Sequence, residues 1–240
     1  LISSNKCHMI DLLNIPTDEN QEFLVLSDIH EHPKHFYKML DTFPLFEQRK
    51  LIVCGDIIDK GFGFSAFEEI AQKIMELHGQ NLCYFIKGNH ELKHCKKNGK
   101  AEVKNPYLSW IDKQPIALSF VYPNKRYTFV HAGIGPKTTW DNLHKDLNVC
   151  YMRGVDKNGN FVPQQLVNGE WMPRDLDSTF WHEIYDGRFG FVIAGHIHQE
   201  DGIPKVYKHS MNIDTACFKT KKLTAALVTS KKVTIHQVEI

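Results

Sequence analysis

Short apolar runs that stop at polar, metal-capable residues recur through the first half of the chain. Residues 22–27 end in Asp28-Ile-His30, residues 51–54 run into Gly55-Asp-Ile-Ile-Asp59-Lys-Gly61, and residues 82–86 end in Lys87-Gly-Asn-His-Glu91. Apolar runs this short, bounded by turn residues, read as buried strands. A helix is predicted from Pro33, which suits a first helical turn, to Leu40. A second spans 66–78, where Phe67, Ile70, Ala71, Ile74 and Leu77 mark one buried face and Gly79 is placed to stop it. This alternation of strand and helix predicts a doubly wound, largely parallel beginning. Ligands of such sheets bind in the crevice beyond the strand ends.

The pattern then weakens. Residues 92–115 carry only a short predicted helix at 107–112, and 126–130 form a strand ending in His131-Ala-Gly133, after which the sheet is expected to become mainly antiparallel. Residues 153–176, with Asn158-Gly159 and Asn168-Gly169 turn signals, read as a hairpin or long loop, either a surface insertion or a cap beside the site. Asp177 or Ser178 caps a predicted helix whose inner face is Phe180, Trp181, Ile184 and Tyr185. A strand over 189–194 ends in Gly195-His-Ile-His198, and strands over 211–215, 223–229 and 233–238 are expected to form a second sheet. Without a repeat or a linker, residues 1–240 read as one domain.

Composition narrows the function. Lys and Arg number 29 against 28 Asp and Glu, which argues against a general nucleic-acid or membrane-surface binder. The basic stretch 93–100 reads as a solvated face. The six Cys form no Cys-x-x-Cys pair, and Cys54 and Cys83 lie inside apolar runs, as free thiols in a reducing compartment would. No run reaches the length of a membrane span, and residues 1–10 lack a signal peptide's apolar core. The expected setting is cytoplasmic, with secretion left open because the chain begins at Leu1. Fourteen His are many for this length, and several follow apolar runs.

Those strand-end residues supply the candidate chemistry. Asp28 and His30 are two apart, so if strand geometry persists they face one side, and His196 and His198 repeat the arrangement. The candidate ligands are Asp28, His30, Asp56, Asn89, His131, His196 and His198. Oxygen and imidazole donors without a thiolate favour manganese, iron or zinc. Seven donors suit two ions sharing a carboxylate. Ions roughly 3.5 to 4 Å apart can activate one water between them and neutralise a phosphoryl oxygen. That points to phosphate-ester hydrolysis.

Asp-x-His, Gly-Asp-x-x-Asp, Gly-Asn-His-Glu, a separate His and Gly-His-x-His, in this order from Asp28 to His198, resemble the five motifs of the calcineurin-like metallophosphoesterase superfamily. The resemblance implies an α/β fold, a four-layer α/β/β/α sandwich of two mixed sheets, with two divalent ions, manganese foremost, at the strand ends. It implies that Asp28, His30, Asp56 and His198 hold the first ion, and that Asp56, Asn89, His131 and His196 hold the second. Gly61, Glu91, the His131-Ala-Gly133 triplet, Tyr151-Met-Arg153 and the closing Asn212-Ile-Asp-Thr-Ala216 are similar to the branch of protein Ser/Thr phosphatases and bacterial diadenosine tetraphosphatases. His90 would then be the general acid, Asp59 its orienting partner, and Arg153, Lys60 and Asn89 would contact the substrate phosphate.

Three positions depart from that branch. Glu31 stands where Gly is usual and is expected to repel anions, Lys60 replaces Arg, and His198 is an added second His. The leading expectation is a protein Ser/Thr phosphatase, with a dinucleoside polyphosphate hydrolase as the enzymatic alternative. The substrate partner is thus a phosphoprotein or a nucleotide. A non-catalytic binding scaffold is the third, disfavoured because it needs neither the ligands nor His90. His32, His35, His78, His94, His144 and His209 read as structural or surface imidazoles, with His94, close behind the third motif, the first exception. Trp140, Trp171 and Trp181 read as packing residues, with Trp171, in the loop, the one best placed to line the cleft.

Overall fold

The computed structural model describes residues 12–98, 105–167, 170–173 and 177–240. In chain order these form β1 (Ile15–Pro16), β2 (Glu22–Leu26), α1 (Pro33–Thr42), β3 (Arg49–Val53), α2 (Phe64–Gly79), β4 (Cys83–Phe85), α3 (Asn89–Asn98), α4 (Pro106–Asp112), β5 (Ala117–Tyr122) and β6 (Lys125–Val130). There follow β7 (Gly154–Val155), β8 (Phe161–Val162), β9 (Gln164–Val167), β10 (Glu170–Pro173), β11 (Thr179–Phe180), α5 (Trp181–Ile184), β12 (Phe191–Ala194), β13 (Lys205–Val206), β14 (Ser210–Asn212), α6 (Cys217–Thr220), β15 (Lys222–Val228) and β16 (Val233–Glu239). The Asn168-Gly169 turn, Lys100, residues 1–10 and the Trp171 side chain lie outside the described part.

Period-two alternation sorts the apolar side chains into layers. Leu24, Leu26, Leu51 and Val53 face α1 and α2, meeting Phe36, Phe67, Ile70 and Ile74. Their neighbours Phe23, Val25, Ile52 and Cys54 face the opposite sheet, meeting Phe120, Phe129 and Ile193. The far side of that sheet, through Val130, Val192 and Ala194, packs on Trp181, Phe189 and Val149. The result is the α/β/β/α sandwich of two mixed sheets, ordered β16-β15-β2-β3-β4 and β1-β5-β6-β12-β14-β13.

Several expectations are corrected. β15 pairs antiparallel with β2, so β15 and β16 extend the first sheet, and only the strand at 210–212 joins the second. The expected change to mainly antiparallel pairing after His131 holds for β13 with β14 and for β15 with β16 and β2, but not for β12, which runs parallel to both β6 and β14. β5 and α3 form where no pattern was evident. The helix expected after Asp177 is a single turn whose Phe180 and Ile184 are exposed while Trp181 is fully buried. Among the described residues all five cysteines are free and buried, and no helix is long and apolar enough to cross a membrane.

One buried imidazole in the second sheet's outer layer makes stability pH-dependent. His182 stacks on Tyr207 with ring centroids 4.4 Å apart and hydrogen-bonds Ser210 Oγ at 2.9 Å, and burial lowers its pKa to about 3. The unfolded imidazole takes up a proton below about 6.5, which the folded one refuses, so stability should fall as pH drops through that window, by about 1.4 kcal/mol per pH unit. In urea titrations from pH 7 to 4.5, His182→Phe, which keeps a ring against Tyr207, should flatten this slope by about one proton. An unchanged slope would remove His182 from the account.

Candidate active site

Parallel pairing sets the strand ends level, Leu26 beside Val53 beside Phe85 in one sheet and Phe129 beside Ile193 in the other. The residues that follow gather along one rim. Asp28 and His30 do not converge by continuing the strand, as the sequence suggested. β2 stops at Leu26, and both residues are left-handed, with φ of 53° and 46°. Asp56, Asp59, Lys60 and His196 share that region, with φ of 55°, 69°, 63° and 68°. Each such residue costs about 1–3 kcal/mol and persists only where its surroundings over-determine it.

Here they do. The first two loops are joined by Asp28 N–H to Gly55 O (3.1 Å), His30 N–H to Asp56 O (2.9 Å) and Glu31 N–H to Ile57 O (3.0 Å). Two buried carboxylates bind the turns from behind. Glu91 accepts the N–H groups of Asp56 (2.8 Å), Ile57 (2.8 Å) and Gly88 (2.7 Å). Glu31 accepts those of Asp59 (2.8 Å), Gly61 (3.2 Å) and Gly63 (3.0 Å). Glu31 thus turns its carboxylate to the backbone donors of the 59–63 turn, which weakens the expected repulsion of anions without removing its charge. Glycine is required where loops touch: a Cβ on Gly88 would lie 2.2 Å from Asp56 Oδ1, and one on Gly195 2.0 Å from Asp28 Oδ2.

All seven candidate ligands meet at this rim. Asp28, His30 and His198 form one cluster, and Asp56, His131 and His196 another. Asp56 Oδ2 lies 3.8 Å from His30 Nε2 and 3.4 Å from His131 Nε2, so it stands between them. Asn89 Oδ1 and His196 Nδ1 lie 3.0 and 3.2 Å from His131 Nε2. His131 Nδ1 donates to Cys54 O at 2.8 Å and His30 Nδ1 to Ile58 O at 3.1 Å, which turns each Nε2 inward.

The donor set fits divalent cations. Asp28 Oδ1 and Asp214 Oδ2 are buried oxygens with no hydrogen-bond partner. Burial and the neighbouring Asp28 charge push the Asp214 carboxyl well above its usual range. Burial holds His30 below its ordinary value; burial with Lys60 holds His198 down to about 4, and burial with Arg153 holds His196 well below, so these three rings are neutral at pH 7, as metal binding would require. His131 differs: burial lowers it, but the Asp56 and Asp28 charges prevail and raise it to about 10. Such a field draws in positive charge.

The remaining predicted residues surround the same point. Asp59 accepts from His90 Nδ1 at 2.6 Å, and His90 Nε2 lies 3.7 Å from Asp56 Oδ2. Arg153 Nε is 2.9 Å from His196 Nε2, and Lys60 Nζ is 3.3 and 3.1 Å from the Nε2 atoms of His30 and His198. A cleft of about 490 Å³ opens over them, walled on its far side by Tyr151, Phe161, Val162 and Pro163. The β7–β8 hairpin thus lines the cleft with apolar surface.

Sequence reasoning singled out one further neighbour, His94, without giving it a role, and gave no role to a second, Asp214. His94 Nε2 bonds Asp59 Oδ1 at 2.9 Å, and Asp214 lies 3.6 Å from His198 Nε2. His94 stands four residues after His90, a spacing that speaks only once α3 is recognised as a helix. Asp214 was visible only as part of a closing hairpin.

A sandwich that presents paired carboxylate and imidazole clusters at its strand ends defines a metallophosphoesterase. The chain belongs to the calcineurin-like phosphoesterase family, whose model matches residues 22–200, and is a phosphoester hydrolase. It is similar to the bis(5'-nucleosyl)-tetraphosphatase PrpE (asymmetrical) of Oceanobacillus iheyensis, with 24% identity over 77% of this chain and 76% of the relative. Among solved structures it resembles a candidate diadenosine tetraphosphatase, with a TM-score of 0.70 and 18% identity over 93% of this chain and 97% of the other. A protein serine/threonine phosphatase of Saccharomyces cerevisiae, similar to human PP5, follows with a TM-score of 0.64 and 14% identity over 100% and 89%.

Proposed function

We propose that the chain is a dimetal-dependent hydrolase of phosphate esters, with manganese as the first ion to test. Asp28, His30, Asp56 and His198 would hold one ion, and Asp56, Asn89, His131 and His196 the other. The observation that carries this reading is that both clusters adjoin Asp56 and reach, through His196 and His198, the floor of a cleft also lined by His90 and Arg153. When bound, the ions supply an activated water and neutralise charge on the phosphoryl group. The chain's own residues do the rest. Arg153 and Lys60 line the cleft and present positive charge to phosphate oxygens, Arg153 with a planar fork and Lys60 as a point charge. His90, anchored to Asp59 through Nδ1, holds a proton at Nε2 for the leaving oxygen.

Two substrates suit this machinery. The phosphoprotein reading needs only a phosphoserine or phosphothreonine at the metals. The dinucleotide reading is favoured by the wall of Tyr151, Phe161, Val162 and Pro163, a surface suited to a base or ribose, and by the name of the curated relative. Parallel turnover of a phosphopeptide panel and diadenosine tetraphosphate with manganese tests both. Preference for the peptides supports the first reading, and preference for the dinucleotide replaces it. If the dinucleotide is the substrate, Phe161→Ala should lower its kcat/KM about tenfold more than that of p-nitrophenyl phosphate, the scale of one lost base stack. Equal losses would remove Phe161 from base recognition.

A further inference from the structure

Asp59 is held by more groups than a partner for His90 requires. Its N–H is bound by Glu31 Oε1 at 2.8 Å, its Oδ2 accepts from His90 Nδ1 at 2.6 Å and from Lys93 Nζ at 3.1 Å, and its Oδ1 accepts from His94 Nε2 at 2.9 Å. His90 and His94 lie four apart on α3, so both rings reach one carboxylate from the same helix face. Burial would raise the Asp59 carboxyl, but these hydrogen bonds hold it well below the usual range. It is a carboxylate with no proton to give, so His94 Nε2–H must be the donor.

The two imidazoles constrain the carboxylate differently from the lysine. The torsion that turns a carboxylate about its Cβ–Cγ bond is broad and soft. With only Oδ2 engaged, the group could swing and carry the His90 ring with it. A planar ring on Oδ1, 22% exposed and mounted on the same helix, removes that freedom. Lys93, 52% exposed on a flexible stem, adds charge without fixing direction.

We infer that His94 is a positioning residue of the hydrolysis, clamping the second oxygen of Asp59 so that His90 stays aimed at the leaving oxygen. This rests on the reading of the cleft as a phosphoester hydrolase with His90 as its acid. A misaimed acid matters when the leaving oxygen needs a proton and matters little when it departs as a stable anion. His94 should therefore matter in proportion to the basicity of the leaving group.

The test compares wild type, His94→Ala and His94→Gln, each loaded with manganese and its metal content measured, on phenyl phosphate and 2,4-dinitrophenyl phosphate. His94→Ala should lower kcat for phenyl phosphate by about tenfold or more and for the dinitrophenyl ester by no more than about twofold, within the scale of general acid catalysis. His94→Gln, whose side-chain amide can donate to Oδ1, should recover most of the loss. An equal loss on both esters, or none, would overturn the role while leaving the hydrolase reading intact. Wild type that hydrolyses neither ester would overturn the hydrolase reading and this inference with it.

Discussion

Asp56→Asn should leave the purified protein with almost no bound manganese and lower phosphoester turnover on the order of 1,000-fold or more. The scale follows from charge stabilisation by bound metal, several kcal/mol, with about 1.4 kcal/mol for each tenfold in rate. In the proposed centre Asp56 is the one carboxylate that both ions share. Its Oδ2 lies 3.8 Å from His30 Nε2, 3.4 Å from His131 Nε2 and 3.7 Å from His90 Nε2, whereas Oδ1 is already committed to the His90 N–H at 3.0 Å. Asparagine keeps the shape but removes the charge, and its amide puts either a donor against the His30 lone pair or a neutral oxygen against the His131 N–H. The His131 proton also loses its main support, since Asp56 is the largest influence raising that ring to about 10 against burial. Elemental analysis after gel filtration and turnover of p-nitrophenyl phosphate check both halves. Retention of two metals per chain would contradict the sharing of Asp56.

The part of this centre that could be read in the sequence is the part encoded locally. An apolar run followed by Asp-Ile-His or Gly-Asn-His-Glu announces both a strand and what stands at its end, and those residues do meet. What was hidden depends on contacts distant in sequence. β15 reads as a strand from its own residues, but nothing local says that it pairs with β2 and leaves β14 in the other sheet. α3 was hidden because Asn-His-Glu-Leu-Lys-His-Cys-Lys-Lys-Asn has only Leu92 and Cys95 to mark a buried face, and with it went the His90–His94 pair. Glu31 was misread for the same reason. A carboxylate beside a phosphate site repels anions less when backbone N–H groups surround it, and its direction was set by a turn at 59–63 that the strand pattern does not describe.

Glu91 is where fold and site are most tightly coupled, and Glu91→Ala should lower the stability of the metal-free protein by at least about 3 kcal/mol. The estimate follows from three donors. Asp56, Ile57 and Gly88 each give an N–H to this fully buried carboxylate, and each donor left unsatisfied costs about 1–3 kcal/mol, reduced where water can enter the space vacated. Burial and the Asp56 charge push Glu91 up to about 7, with the N–H groups pulling the other way, so it is a costly group to bury that is repaid only through these bonds. Glu91→Gln keeps one acceptor oxygen and sets an amide donor against the remaining N–H, so its loss should fall between wild type and alanine. Urea unfolding after chelator treatment should give that order, with a fall in Tm for alanine of about 6–12 °C at this chain length. The same loops carry Asp56 and Asn89, so metal affinity should weaken in step with stability across the pair. An alanine variant that lost less than about 1 kcal/mol, the net worth of a single ordinary hydrogen bond, would mean that water replaces the carboxylate and that the joins between the first two loops suffice to hold the left-handed turns.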